Sequence, residues 1–337
     1  MQEPLLKWRI PKCTVVMVFV GVIITTVAEP RPAGTARLAI AQSIITVQAP
    51  IRSQTAADWV NQGLQLVQQG KIQDAIAAFQ KAIQLDAGLA PAHYNLGLAL
   101  RQVGQLQPAA DAFHRATQAD PKFALAYANL GAALLEGNNF QQAGDYLQRA
   151  LQLDPKLGLA HYNLGLVKEQ QRDWKRAIAS HKKAMQYSRN APEPAYHLGL
   201  IYLQQGKVDR ATEAFRKALK INPNYPEAHY NLGRILFNKG KLQEALEAFR
   251  KSAQANSNYA NAYYGAGLVF VQLKQYADAQ QVLQYAKDLY TAQGNSQWAT
   301  NADRLLQQAR NLNSGRKSSI KNGYSKTEHR LDVGDSD

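Results

Sequence analysis

Cysteine is almost absent: Cys13 is the single one in 337 residues. No intramolecular disulfide and no cysteine-based zinc site can form, so packing alone must hold the fold. Acidic residues are the minority charge, 25 against 39 Lys and Arg, which leaves a formal net charge of +14. Such an excess brings nucleic acid or an anionic membrane surface into view as partners, but it speaks to association and not to fold. No glycine-rich phosphate loop, nucleophile elbow or carboxylate pair stands out, and the motif-borne chemistries go with them. What is plentiful is apolar, 46% of the chain, and that excludes a chain disordered throughout.

The amino terminus reads as a targeting segment. Lys7, Arg9 and Lys12 precede an uncharged apolar run over residues 13–28, the order of a basic n-region and an h-region. Small residues offer two cleavage points, after Ala28 and after Ala41. An uncleaved signal anchor is the competing reading, since the basic residues before the run orient the amino terminus inward. Either reading exports the rest of the chain, so the expected location is across or in a membrane, with the body on its non-cytoplasmic side. Residues 1–41 are thus a signal peptide or anchor, and 42–55 a linker.

The body repeats every 34 residues. Gly63, Gly97, Gly131, Gly165, Gly199, Gly233 and Gly267 keep that period, and Ala75, Ala109, Ala143, Ala177, Ala211, Ala245 and Ala279 follow twelve residues behind. Four further on stands Phe79, Phe113, Leu147, His181, Phe215, Phe249 or Leu283, large and apolar in every copy but the fourth. Pro121, Pro155 and Pro223 close three of the units where a helix should stop. Each unit holds two helical stretches parted by a turn such as Gly104-Gln105 or Gly206-Lys207. Small residues at the glycine and alanine positions let the two backbones approach, and large neighbours fill the remaining space. One such hairpin cannot bury its apolar face alone, so the copies must stack.

The pattern Leu198-Gly199-x2-Tyr202…Ala211-x3-Phe215…Pro223 resembles the tetratricopeptide repeat (TPR) family. Seven units are expected, at 56–89, 90–123, 124–157, 158–191, 192–225, 226–259 and 260–293. A capping helix is expected over 295–312, begun by Ser296, and a disordered tail over 313–337. The fold class is all-α: a right-handed α-solenoid of seven TPR helix-turn-helix repeats with a C-terminal capping helix.

The resemblance implies that the first helix of each unit lines a concave groove holding segments of partner proteins. With the glycine numbered 8 within a unit, position 5 carries Tyr94, Tyr162, Tyr196, Tyr230 and Tyr264, and position 6 carries Asn95, Asn129, Asn163 and Asn231. Tyrosine gives contact area with a polar end, and asparagine can pair with a peptide backbone. Both are also common TPR choices that can bond within their own superhelix, so a peptide groove and a structural ladder both stay open. The lysines of the chaperone carboxylate clamp are missing. Arg234 is the one basic residue placed to meet an acid on that face.

Charge is local: residues 158–259 hold 17 basic and 8 acidic residues, a net +9. A row on the second helices, Lys182, Lys183, Arg216, Lys217, Arg250 and Lys251, forms a candidate convex stripe for an anionic membrane or acidic partner, or an ordinary solvated face. Nucleic acid is not expected, because no recognition motif accompanies the charge. His93, His161 and His229 share position 4 in alternate units, roughly 20 Å apart for helices stacked 8–10 Å from one another, too far to share a metal. The expected function is a non-catalytic protein-interaction scaffold, with no catalytic residue, cofactor or metal.

Overall fold

A computed structural model describes residues 54–328, with side chains through Gly315. The targeting segment, most of the linker and residues 329–337 lie outside the described residues. The described residues form fifteen helices and no strand. None of these helices is long and apolar enough to cross a membrane.

The chain divides into two compact units after Ser188, within the repeat that departs most from the pattern. The first contains α1 (Ala56–Gln68), α2 (Ile72–Leu85), α3 (Ala90–Gln102), α4 (Leu106–Ala119), α5 (Ala124–Glu136), α6 (Phe140–Leu153), α7 (Gly158–Gln170) and α8 (Trp174–Tyr187). The second contains α9 (Glu193–Gln204), α10 (Val208–Ile221), α11 (Pro226–Asn238), α12 (Leu242–Ala255), α13 (Ala260–Gln272), α14 (Tyr276–Ala292) and α15 (Ser296–Glu328). Within each unit every odd-numbered helix up to α13 packs on the even-numbered helix that follows it, that second helix packs on the next hairpin of its unit, and α15 packs on α14. This is the stacked-hairpin architecture of an all-α solenoid.

The position-8 glycines explain the packing. A Cβ added at Gly97, Gly199 or Gly233 would stand 2.6, 2.5 or 2.7 Å from Cε1 of Phe113, Phe215 or Phe249, inside the ring's van der Waals envelope. Gly131 meets Leu147 in the same way, and Gly165 meets His181. Each hairpin is therefore closed by a large side chain of its second helix lying on bare backbone of its first. The rings at Phe79, Phe113 and Phe215 are fully buried, as are Ala75, Ala109 and Ala211 beside them.

The turn inside each hairpin is equally regular. Position 15 has positive φ in all seven copies: Gly70, Gly104, Gly206 and Gly240, but also Asn138, Arg172 and Lys274. The next amide donates back to the carbonyl five residues earlier, as in Lys207 to Tyr202 and Asp173 to Lys168, which satisfies a helix-end carbonyl in the Schellman manner. Between hairpins, Asp86, Asp120, Asp154, Asn222 and Asn256 accept from the amide two residues on, an Asx turn that sets the exit of the chain.

Two boundaries differ from expectation. The last helix is begun by Asn295, whose Oδ1 accepts from the Trp298 amide at 3.3 Å, and not by Ser296. It also runs on to Glu328, through the Asn313-Ser314-Gly315 stretch where a stop was expected and into the segment read as a disordered tail. Ser314 turns its hydroxyl back onto the carbonyls of Arg310 and Asn311, so it is absorbed in the helix. Gly315 does not take the positive φ of a helix stop, and no proline follows it.

Two stability changes follow. Gly199→Leu should lose about 1–3 kcal/mol from overpacking against Phe215, and an unchanged urea midpoint would contradict the placement. At the turn, Gly206→Ala should lose about 1–2 kcal/mol from the left-handed backbone alone, since nothing lies within 4 Å of the added methyl. Arg172→Gly should move the midpoint the other way.

Candidate functional site

Positions 5 and 6 fall on the first helix of each hairpin, and the structure separates their roles. Tyr94 is only 1% exposed. Its ring packs 4.8 Å from Phe123 and 5.8 Å from Phe113, and its hydroxyl accepts from Asn129 Nδ2 at 3.2 Å. Asn95, Asn129, Asn163 and Asn231 are all buried. Three of them donate to the carbonyl one turn earlier on their own helix: Asn95 to Pro91, Asn129 to Leu125 and Asn231 to Glu227.

These asparagines, with Tyr94, are therefore not the surface ladder a groove would offer. The amide reaches its own backbone and the preceding hairpin's phenol before any partner could, and burial without a partner would cost too much. Asn163 is the exception: its Nδ2 is buried and unpartnered among the described residues. The phenol that Asn129 and Asn231 find one repeat earlier is replaced there by Ala128.

The other tyrosines remain accessible. Tyr162 in the first unit is half-buried, its ring 5.8 Å from that of His181. In the second unit Tyr196, Tyr230 and Tyr264 are half-buried and Arg234 is exposed. Around them stand aromatics not anticipated from the sequence. Tyr225 lies 5.1 Å from Tyr196, Tyr259 lies 5.6 Å from Tyr230, and Trp298 lies 5.5 Å from Tyr264 and 6.0 Å from Tyr290. Tyr225 and Tyr259 share the last position of their repeats, a periodicity that could have flagged them. Trp298 belongs to the cap and carries no repeat signal.

Burial pushes the Tyr196 phenol up to about 12, with Tyr259 and Glu227 adding to the rise, and it raises Tyr230 and Tyr264 as well. These phenols stay protonated and able to donate. Arg234 holds its guanidinium 5.7 Å from the centre of the Tyr230 ring, a cation–π distance, and donates to Asn231 Oδ1 at 3.2 Å.

The basic row is mostly exposed at Lys182, Lys183, Arg216, Lys217 and Lys251, while Arg250 is half-buried. Much of its charge in the second unit is answered locally. Lys217 lies 2.8 Å from Glu213, and Arg250 and Lys251 share Glu247. The row is a mixed-charge helix face more than a field of one sign.

The position-4 histidines are structural. Nε2 of His93, His161 and His229 lies 2.9, 2.9 and 2.8 Å from the carbonyls of Ala87, Pro155 and Pro223. A carbonyl can only accept, so Nε2 carries the proton and is not offered to a metal. His181 differs. It fills the place of the hairpin-closing ring, fully buried, with Nε2 2.5 Å from Glu169 Oε1 on the facing helix.

Comparison with known proteins agrees with the all-α repeat fold. The family model of the cilia and flagella-associated protein 70 C-terminal domain, a tetratricopeptide-repeat model, matches residues 33–266. The chain belongs to this tetratricopeptide-repeat family. Among solved structures, the TPR protein is similar to a tetratricopeptide repeat protein from Parabacteroides merdae, with 17% identity, 73% of this chain and 98% of that one covered, and a TM-score of 0.57. It is similar to a chain of the APC/C hetero-tetramer Cut9-Hcn1 at 17% identity, over 75% of this chain and 55% of that one, with a TM-score of 0.50. YrrB, described as a TPR protein with an unusual peptide-binding site, is 27% identical over 58% of this chain and 99% of its own, with a TM-score of 0.45. No curated protein matches the TPR protein. Family and fold together make it an interaction scaffold of a generally non-catalytic kind.

Burial holds the His161 imidazole below its usual range, with Lys183 adding to the effect against the Pro155 bond and Asp154. Burial does the same at His229, with Lys251 adding and the Pro223 bond and Glu247 opposing. A lowered folded pKa means that the unfolded chain binds the extra proton. These two histidines thus support the fold fully above about pH 6.5, and their support is lost as pH falls below it. The urea midpoint of the TPR protein should drop between pH 7.5 and 5.5, and the double variant His161→Gln, His229→Gln should flatten that slope.

Proposed function

We propose that the TPR protein captures an extended or helical segment of another protein on the first-helix face of its second unit. The carrying observation is the run of half-buried aromatics there, Tyr196, Tyr225, Tyr230, Tyr259 and Tyr264, rigid side chains that give contact area at little cost in ordering. Arg234 supplies a polar anchor in their midst. The first unit offers less, because Tyr94 is buried and Ala128 interrupts the series.

The second reading, an anionic membrane or acidic partner docked on the basic row, is favoured by the exposure of Lys182, Lys183, Arg216, Lys217 and Lys251 and opposed by the acids beside three of the row's cations. Location belongs with the proposal: the basic n-region and apolar residues 13–28 support export or anchoring, with the repeats on the non-cytoplasmic side.

Salt separates the two binding readings. A tyrosine-lined complex should keep most of its affinity as ionic strength rises, whereas a complex on the basic row should weaken steeply. Tyr196→Ala with Tyr264→Ala should remove binding of a captured partner while the circular-dichroism melt stays cooperative. Retained binding in that folded variant would exclude the aromatic face.

A further inference from the structure

The tyrosine–asparagine series is interrupted beside Arg234. In the two complete rungs the position-5 phenol accepts from the position-6 asparagine of the next repeat, 35 residues on: Tyr94 from Asn129 at 3.2 Å and Tyr196 from Asn231 at 3.4 Å. For Tyr230 the equivalent residue is Gly265. The glycine is imposed from below, since a Cβ there would stand 2.6 Å from Cε1 of Phe249. The same ring already lies against Gly233. No side chain can therefore complete the rung, and among the described residues no hydrogen bond reaches the Tyr230 phenol.

One helical turn later on α11 stands Arg234. Its charge is exposed and forms no ion pair among the described residues, although Glu227 sits on the same helix. Asn231 orients it: Nδ2 donates to the Glu227 carbonyl and the Tyr196 hydroxyl, and Oδ1 accepts from Arg234 Nη1. A guanidinium has five N–H donors in a fixed fork, so most remain available after that bond. The Tyr230 hydroxyl, protonated at neutral pH like any phenol, adds another donor one turn away. The aromatic wall continues with Tyr259 on one side and Tyr264 beyond it.

We propose that Tyr230 and Arg234 form an anchoring point for the side-chain carboxylate of an aspartate or glutamate within the bound segment. A planar carboxylate matches the fork of arginine, and among the described residues no acid pairs with Arg234, although Glu227 acts on the same Tyr196 and Tyr259 phenols. The face is open and does not enclose a small molecule, so the carboxylate must arrive on a segment that also rests on Tyr196 and Tyr264. This inference rests on the aromatic-face reading above.

The test selects a random peptide library against the full chain, the peptides fused through their carboxyl ends so that no free terminus is offered. A selected peptide is then made with an amidated terminus, alongside a copy with Asn or Gln in place of its acid, and both are titrated by fluorescence anisotropy. Acidic residues should be enriched, and the amide copy should bind about tenfold more weakly. Arg234→Gln should lose the same factor for the acidic peptide and nothing further for the amide copy. Tyr230→Phe, which keeps the ring, should give a smaller loss in the same direction.

Equal binding of both peptides to the wild type, or an equal acid preference in Arg234→Gln, would overturn the anchor while leaving the aromatic face standing. Undiminished binding to the folded Tyr196→Ala, Tyr264→Ala variant would overturn the aromatic face itself. A selection that yields no peptide would overturn both.

Discussion

The contact between a bare glycine backbone and a large side chain on the facing helix is what the rest of this structure depends on. At Gly97–Phe113, Gly199–Phe215 and Gly233–Phe249 the ring lies where a Cβ would be, so the two helices of a hairpin come as close as their backbones allow. That closeness fixes the crossing of the pair, and a fixed crossing presents the same edges to the next copy. Regularity at one contact becomes regularity along each stack. Where the side chain is a leucine the contact survives with a smaller group. Where it is His181 the ring still lies on Gly165, and its Nε2 engages Glu169, a polar group in a place built for an apolar one.

The surface follows from the same contact. A ring seated on the glycine leaves the position-5 tyrosine to cover it from the first helix, and the phenol then reaches the next repeat's asparagine. Local bonding therefore consumes most of the polar groups that a groove would otherwise show. What is left for a partner is decided by exceptions: Gly265, which withholds a donor from Tyr230, and Arg234, which forms no ion pair among the described residues. In a repeat protein the consensus builds the scaffold and the departures from it carry specificity.

Charge illustrates the same division. The row on the second helices reads as a docking stripe or an ordinary solvated face, and Glu213 and Glu247 lie one turn from its cations. Helix periodicity puts residues four apart on one face, and the sequence contained those acids all along. Their importance depends on which of several neighbours a long side chain selects, and that is a packing outcome.

Periodicity alone determined the class of fold, the seven hairpins, the turn within each and the residues that close them, because a 34-residue recurrence of small and large side chains admits one kind of packing. It also marked position 5 as tyrosine-rich. Tertiary structure decided which of those tyrosines is accessible, that the asparagines bond inward, that Asn295 begins the last helix and that the helix continues past Gly315. These depend on distances between groups 35 residues apart and on whether a polar atom finds a carbonyl before it finds solvent, neither of which a one-dimensional pattern records. The repeat specifies its own interior, and the surface is what the interior leaves unsatisfied.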